Sequence, residues 1–242
     1  MNKIEINISN LIKDFKSVRA LDNVSMHFET GRLYGVIGPA GAGKTTLFRI
    51  MLHLMQAGAG DIEYLVDGRK TKFADFSGNI AYMPQSQSLY ADLSVAEHLD
   101  FFKQLYGISD AEFKSRTQEL LQLTRLEKFL DRPAGNLSGG MYKKLGLMCA
   151  LLRSPRVMLL DEPTNGVDPI SRREFWSLLH ASLSKGMLII LTTAYMDEAE
   201  RCSDVVLMES GRVLDTGAPV DLLRQYDVRN FDELFLVRGG VR

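Results

Sequence analysis

Ile4, Ile6 and Ile8 alternate with polar neighbours, and Val24, Met26 and Phe28 repeat the pattern. Period-two alternation marks half-buried strands, so the first 37 residues read as β structure. The turn Glu29-Thr30-Gly31 leads into Arg32–Ile37, a short apolar run of the kind found in buried strands. Residues 44–55 switch to helical spacing directly after a glycine-rich stretch. Residues 60–83 return to short strands, with Asp67-Gly68 as a hairpin turn. From about residue 92 the pattern is helical. Ser94 and Glu97 form a capping box, followed at helical spacing by Val95, Leu99, Phe102 and Leu105. A second helix is predicted over Asp110–Leu123 and a third after Ser138. Val157–Leu160 and Leu188–Leu191 are β-type runs that end in polar groups and precede helical patterns. The layout predicts an α/β fold with a parallel sheet core and a helical insertion. Its expected divisions are 1–85 for the first part of the core, 86–155 for the helical insertion and 156–225 for the second part of the core. Residues 226–242 are expected to form a short helix, Phe231–Val237, with a loose tail.

The chain has 242 residues, 45% of them hydrophobic and 24% charged, which is globular composition and enough to bury a core without staples. Its 29 basic and 30 acidic residues leave a net charge of −1. That balance argues against a nucleic-acid partner held on a basic surface and against an acidic disordered chain. The longest unbroken apolar run, Leu147–Leu152, falls far short of the ~20 residues of a spanning helix. Met1–Ile8 alternates instead of forming the solid apolar stretch of a signal peptide. Cys149 and Cys202 are far apart and lack CxxC spacing, as expected for two reduced thiols in a cytosolic protein.

Gly38-Pro39-Ala40-Gly41-Ala42-Gly43-Lys44-Thr45 fits G-x-x-x-x-G-K-[ST], with the strand Leu33–Ile37 before it and a helix from Thr46 after it. Such a loop turns consecutive N–H groups inward around a phosphate, and the helix N-terminus adds a favourable dipole. Lys44 can reach the β- and γ-phosphates of a nucleotide, and the Thr45 hydroxyl can meet Mg²⁺. Asp161 closes the run Val157–Leu160 at the strand edge where α/β sheets bind ligands, a position suited to holding Mg²⁺ through water. Glu162 beside it can polarise an attacking water. Alone, two adjacent carboxylates make a solvated turn; a phosphate loop upstream favours the catalytic reading.

Leu137-Ser138-Gly139-Gly140-Met141 resembles the LSGGQ-type signature of ABC ATPases, Gln85 in Met83-Pro84-Gln85 matches their Q-loop, and Asn165-Gly166-Val167-Asp168 resembles their D-loop. Together with Gly38–Thr45 and Asp161-Glu162 these occur in the family's order. "LSGGM", "DEPTNGVDP" and "YMDEAE" look like the ATPases of drug, polysaccharide and ABC-2 type exporters. The resemblance implies a phosphate-loop core with an N-terminal antiparallel β subdomain and an inserted α-helical subdomain. ATP would be bound by Phe15 stacking on adenine, by residues 38–46 including Thr46, and by Ser138, Gly139 and Gly140 acting on the other subunit's γ-phosphate. Phe15 also reads plainly as a core residue at a strand end. Thr45, Gln85 and Asp161 would hold Mg²⁺. Glu162, Lys44 and Gln85 would carry catalysis, with Asp168 at the dimer seam. One phosphate loop and one signature per chain imply a second ATPase subunit, identical or different, arranged head to tail. The resemblance also implies a separate multi-span membrane subunit and a place on the cytoplasmic face of the membrane.

One departure matters. Aligning Tyr195-Met196-Asp197-Glu198-Ala199 with the family places Ala194 where a switch histidine is usual, and none of His27, His53, His98 or His180 is a sequence neighbour. Losing one transition-state donor costs ~10²–10³ in rate. Three readings follow: slow turnover on Glu162, pairing with a different chain that keeps its histidine, or an ATP-binding switch that depends little on hydrolysis. Intact Glu162 favours an active, slowed ATPase. A soluble ABC ATPase acting on ribosomes or DNA is a further alternative, although such chains carry two modules or a long coiled coil. Tyr82, Leu89, Tyr90, Phe101, Phe102 and Tyr106 make the insertion aromatic-rich. Most should serve its own core, and Leu89 and Tyr90 are the candidates for a groove that receives a membrane partner.

Overall fold

The computed structural model describes residues 3–86 and 89–239. The strands are β1 (Ile4–Phe15), β2 (Val18–Glu29), β3 (Leu33–Ile37), β4 (Ala59–Val66), β5 (Arg69–Thr71), β6 (Ile80–Met83), β7 (Val157–Asp161), β8 (Leu188–Thr193), β9 (Asp204–Glu209) and β10 (Arg212–Gly217). The helices are α1 (Lys44–Met51), α2 (Phe73–Phe76), α3 (Val95–Tyr106), α4 (Asp110–Thr124), α5 (Gly139–Leu151), α6 (Pro169–Leu183), α7 (Pro219–Gln225) and α8 (Phe231–Gly239). One antiparallel sheet has the order β2-β1-β4-β5, and Asp67 and Gly68, both left-handed, close its β4–β5 hairpin. The second sheet has the order β10-β9-β3-β8-β7-β6 and is parallel except for its β10 edge.

Strand periodicity divides the interior. In β7, Val157 and Leu159 join a core shared with the antiparallel sheet and α1, whereas Met158 and Leu160 face the other way, onto a core that includes Phe175 and Trp176 of α6. Residues of α3, α4 and α5 form a third core, with Val95, Leu99, Leu120, Leu145 and Met148 at its centre. The longest apolar run lies in and just after α5 and serves two cores: Leu147 and Ala150 face the α6 side, Met148, Cys149 and Leu152 the helical side. A helix apolar on all sides is a buried one. Among the described residues no helix is long and apolar enough to cross a membrane. Both thiols are buried and free, and burial pushes their pKa values up, so they stay protonated.

Several expectations need correction. The helix after the glycine-rich loop ends at Met51, not Met55, because the chain turns at His53 (φ 53°). Leu105 lies on the exposed side of α3 and not in the buried stripe. Tyr195–Arg201 was expected to be helical; Met196–Arg201 is only a 3-10 stretch. The pairs β9–β10 and the helix α7 went unpredicted. The C-terminal helix is docked and not loose, since Phe231 and Leu234 are buried in the α6-side core.

That 3-10 stretch is anchored by a buried carboxylate. Glu198 Oε1 accepts from Thr164 Oγ1 (2.7 Å), Arg172 Nη2 (2.9 Å) and Trp176 Nε1 (3.3 Å). It thereby ties the segment after β8 to the segment after β7 and to α6. Glu198→Ala should cost about 3 kcal/mol of unfolding free energy, because it strips a part-buried guanidinium of its partner. Urea denaturation checks this; a loss under about 1 kcal/mol would mean that Arg172 is satisfied by Asp197 at the surface.

Candidate functional site

Four adjacent parallel strands, β3-β8-β7-β6, deliver every polar group of the site to one edge. Ile37 registers with Thr193, Asp161 with Thr192, and Met83 with Leu160. The carboxyl ends of a parallel sheet are where α/β proteins bind ligands. The loop 38–43 leaves β3 there and enters α1.

The glycines of this loop answer local geometry. A Cβ on Gly38 would lie 2.0 Å from the Met208 carbonyl oxygen, and one on Gly43, at φ 101°, would lie 2.4 Å from that of Ala20. Gly41 is left-handed at φ 81°. Gly38 N–H donates to Thr193 O (3.2 Å) and Ala42 N–H to Pro39 O (3.2 Å), so buried Ala42 closes the loop on itself. Pro39 is half-buried and Ala40 exposed. No side chain caps α1 and no acidic residue stands in its first turn. The N–H groups of Lys44, Thr45 and Thr46 therefore form an open helix N-terminus, a fitting seat for an anion. Lys44 is buried, and its Nζ donates to Gly38 O (2.8 Å) and Pro39 O (3.0 Å) and lies 3.3 Å from Glu162 Oε1.

Asp161 is fully buried at the end of β7. Its Oδ1 accepts from Thr192 Oγ1 (2.6 Å) and its Oδ2 from the Tyr82 hydroxyl (3.4 Å). Burial, reinforced by Asp161, pushes the Tyr82 phenol up to about 12, so it remains a donor. Glu162 has a left-handed backbone (φ 45°), which costs about 1–2 kcal/mol for a residue with a Cβ. Its N–H is held by Thr192 O (3.1 Å) and Thr192 Oγ1 (3.0 Å). Its Oε2 accepts from Gln85 Nε2 (2.6 Å) and Asn165 Nδ2 (3.3 Å). The strained turn thus aims one carboxylate at Lys44, Gln85 and Asn165 together.

The structure brings Lys44, Gln85, Asp161 and Glu162 into one cluster and places the remaining candidates around it. Ser138 is exposed and caps α5 through Met141 N–H (3.3 Å). Gly139 lies beside Gly166, and Gly140 is buried against Ser171 of α6, where a Cβ would meet the serine at 2.4 Å. Asp168 is exposed and caps α6, accepting from Ile170 N–H (3.1 Å) and Ser171 N–H (3.0 Å). Those backbone donors hold its carboxyl below the usual carboxylate range. Phe15 is 42% exposed near the tip of the β1–β2 hairpin, with Lys13 Nζ 5.3 Å from its ring centre. Ala194 is exposed directly after Thr193. The four histidines sit elsewhere: His27 on Asn7, His53 stacked on Phe73, His98 inside α3 and His180 near Trp176.

Sequence reasoning missed Thr192 and Tyr82 as partners of the carboxylates, and Asn165 as a donor to Glu162. The polar end of the Leu188–Leu191 run was the available signal for Thr192. Thr45, Asp161 and Gln85 offer only oxygen among their acceptors, the donor chemistry Mg²⁺ prefers. Among the described residues no three His, Cys, Asp or Glu side chains group as a metal cage. Both features fit an ion completed by phosphate oxygens and water.

A family model described as "ABC transporter" matches residues 21–165. The chain is 40% identical over 233 residues to a protein named "Probable multidrug ABC transporter ATP-binding protein YbhF" of Escherichia coli (strain K12), covering 96% of this chain and 40% of that one. It therefore spans less than half the length of that relative. It is 36% identical to the "Nod factor export ATP-binding protein I" of Rhizobium sp. (strain N33), covering 93% of this chain and 75% of the relative. A solved structure described as "Structure of ATP binding subunit of ABC transporter" superposes with a TM-score of 0.83 at 30% identity, over 97% of this chain and 99% of that one. A second, cbiO1 from Clostridium perfringens, described as part of the ABC transporter complex cbiONQ, gives 0.81 at 25% identity, over 96% and 94%.

Thr192→Val should leave the Asp161 carboxylate without its shortest donor and the Glu162 N–H with one acceptor instead of two. The expected loss is about 1–3 kcal/mol of stability, with Thr192→Ser retaining most of it. Urea titration of both variants checks this; equal losses would assign the effect to the methyl group.

Proposed function

The chain belongs to the ABC transporter ATP-binding family, and from that premise we propose that it hydrolyses ATP as the engine subunit of an exporter whose membrane path lies in another polypeptide. The observation that carries this reading is the convergence of Lys44, Gln85, Asp161 and Glu162 at one sheet edge. Residues 38–46 cradle the phosphates, Lys44 exchanging its loop carbonyls and Glu162 for phosphate oxygens. Phe15 stacks on the base. Thr45, Gln85 and Asp161 hold Mg²⁺, which neutralises phosphate charge when bound. Glu162 orients the attacking water and accepts its proton.

Ser138 and Gly139 are exposed beside Gly166, where a nucleotide bound to another copy can reach them. That supports a head-to-tail pair of subunits around two ATP, with Asp168 at the seam. In this reading residues 1–85 and 156–225 form the ATPase core, 86–155 the mobile helical arm, and 226–242 a C-terminal extension. Tyr90 and Phe101 are exposed and pack edge to face at 5.5 Å, and exposed Leu105 lies one turn beyond Phe101. This ridge suits a short helix of the membrane subunit on the cytoplasmic face. The export direction rests on the names of the multidrug and Nod factor relatives.

Ala194 supports a second reading, an ATP-binding regulator with a slow site. No histidine among the described residues occupies that corner, and an exposed methyl group offers no donor. Turnover at saturating Mg-ATP separates the two readings.

Ala194→His should raise turnover about tenfold or more if a missing donor limits the rate; an unchanged or lower kcat refutes that account. Glu162→Gln should retain ATP and trap a dimer in gel filtration, and continued turnover would sink its catalytic assignment. Phe101→Glu should cut recovery of the chain with the membrane fraction at least fivefold; undiminished recovery would clear this ridge of docking.

A further inference from the structure

The first turns of α5 face two ways. Gly140 and Lys144, one helical turn apart, face α6: the glycine presses on Ser171, and Lys144 pairs with Glu174. Tyr142 and Lys143 face the segment that leaves β6. Lys143 Nζ donates to Gln85 O at 3.3 Å. The Tyr142 hydroxyl accepts from Leu89 N–H at 2.8 Å and donates to Leu89 O at 3.4 Å. The next N–H, of Tyr90, donates to Nε2 of the buried His98 (3.0 Å), whose Nδ1 in turn donates to Ser94 O (2.8 Å). This segment is therefore fastened at Gln85 and Leu89 by α5 and at Tyr90 by α3.

A phenol is suited to this fastening because one hydroxyl both donates and accepts, and so satisfies the two backbone groups of a single residue. Phenylalanine fills the same space and satisfies neither. Lys143 also stands in the field of Asp161 and Glu162, which partly offsets the burial that lowers its proton affinity. The helix that begins at Ser138 thus holds α6 on one side and the Gln85–Tyr90 strap on the other.

We propose that Tyr142, assisted by Lys143, is a positioning residue that locks the Gln85–Tyr90 strap to α5, so that a displacement of the Ser138 end moves the Gln85 carboxamide and the Tyr90 ridge as one body. The proposal rests on the roles given above to Gln85 and Ser138. It extends them by naming the contact through which the arm and the Gln85 segment move together.

The test uses the full 242-residue chain. In Tyr142→Phe, amide exchange at Leu89 should accelerate at least tenfold, while Tyr90, held by His98, stays within twofold. Unchanged protection across β8 would show that the fold is intact. The kcat for ATP should fall three- to tenfold with KM within twofold. Lys143→Met should act in the same direction and Lys143→Arg should restore the rate. In a Gln85→Ala background Tyr142→Phe should cost nothing further. Unchanged exchange at Leu89, an unchanged kcat, or losses that multiply in the double variant would each overturn the proposal. If Gln85→Ala alone leaves kcat at the wild-type value, the reading of Gln85 fails, and exchange at Leu89 still judges the fastening.

Discussion

The site is organised around one buried cation and the carboxylate that answers it. Lys44 is almost fully withdrawn from water, and an ammonium in that position is tolerated only with acceptors on its protons. Two loop carbonyls and Glu162 supply them. Glu162 can reach Lys44 because its backbone turns left-handed, and it holds that turn because Thr192 accepts its N–H twice. The same carboxylate takes the Gln85 amide, so loop, base and strap are joined through one side chain. A phosphate anion is a stronger partner for Lys44 than a neutral carbonyl. Exchanging partners at Lys44 therefore also frees Glu162 and loosens its grip on Gln85. Anion binding at the loop and a change at the strap are thus linked through charge balance, without any long-range pathway.

The parallel sheet explains why these groups meet although they lie far apart in the chain. Register fixes Thr192 opposite Asp161 and Thr193 opposite Ile37, so β8 stands between the strand that opens the phosphate loop and the strand that ends in the carboxylates. The strand itself contributes both hydroxyls and the exposed Ala194. Glu198, five residues beyond Thr193, anchors the following segment to Thr164 and α6. The position of Ala194 is consequently set from both sides by buried polar contacts.

Much of this was legible in the sequence where local chemistry dictates structure. The Ser94–Glu97 capping box forms with both of its hydrogen bonds, and the alternation at Ile4–Ile8 and Val24–Phe28 faces the first core. The spacing of Gly38 to Thr45 announced an anion seat, since positive φ at Gly41 and Gly43 is a backbone demand. What was not legible depended on tertiary contact. The 3-10 stretch after β8 is anchored by a buried carboxylate whose partners come from two other segments. Leu105 fits the helical period yet faces outward, because periodicity does not say how wide the buried stripe is. Thr192, Tyr82 and Asn165 are ordinary residues made functional by register and by the turn at Glu162.

The two-sided burial of α5 bears on how an engine of this kind can transmit force. A helix wetted on one face can fray or slide on its core without moving what lies across from it. Here Leu147 and Ala150 are packed on the α6 side and Met148, Cys149 and Leu152 on the other, so α5 shifts only by carrying both packings with it. Its polar contacts follow the same division, Lys144 to Glu174 on one side and Tyr142 and Lys143 to the strap on the other. Close-packed interfaces resist continuous deformation and change by discrete rearrangement. A helix gripped this way converts a small displacement at its exposed N-terminus into a concerted displacement of the strap. A missing histidine at residue 194 would slow the chemical step and leave that mechanical link intact.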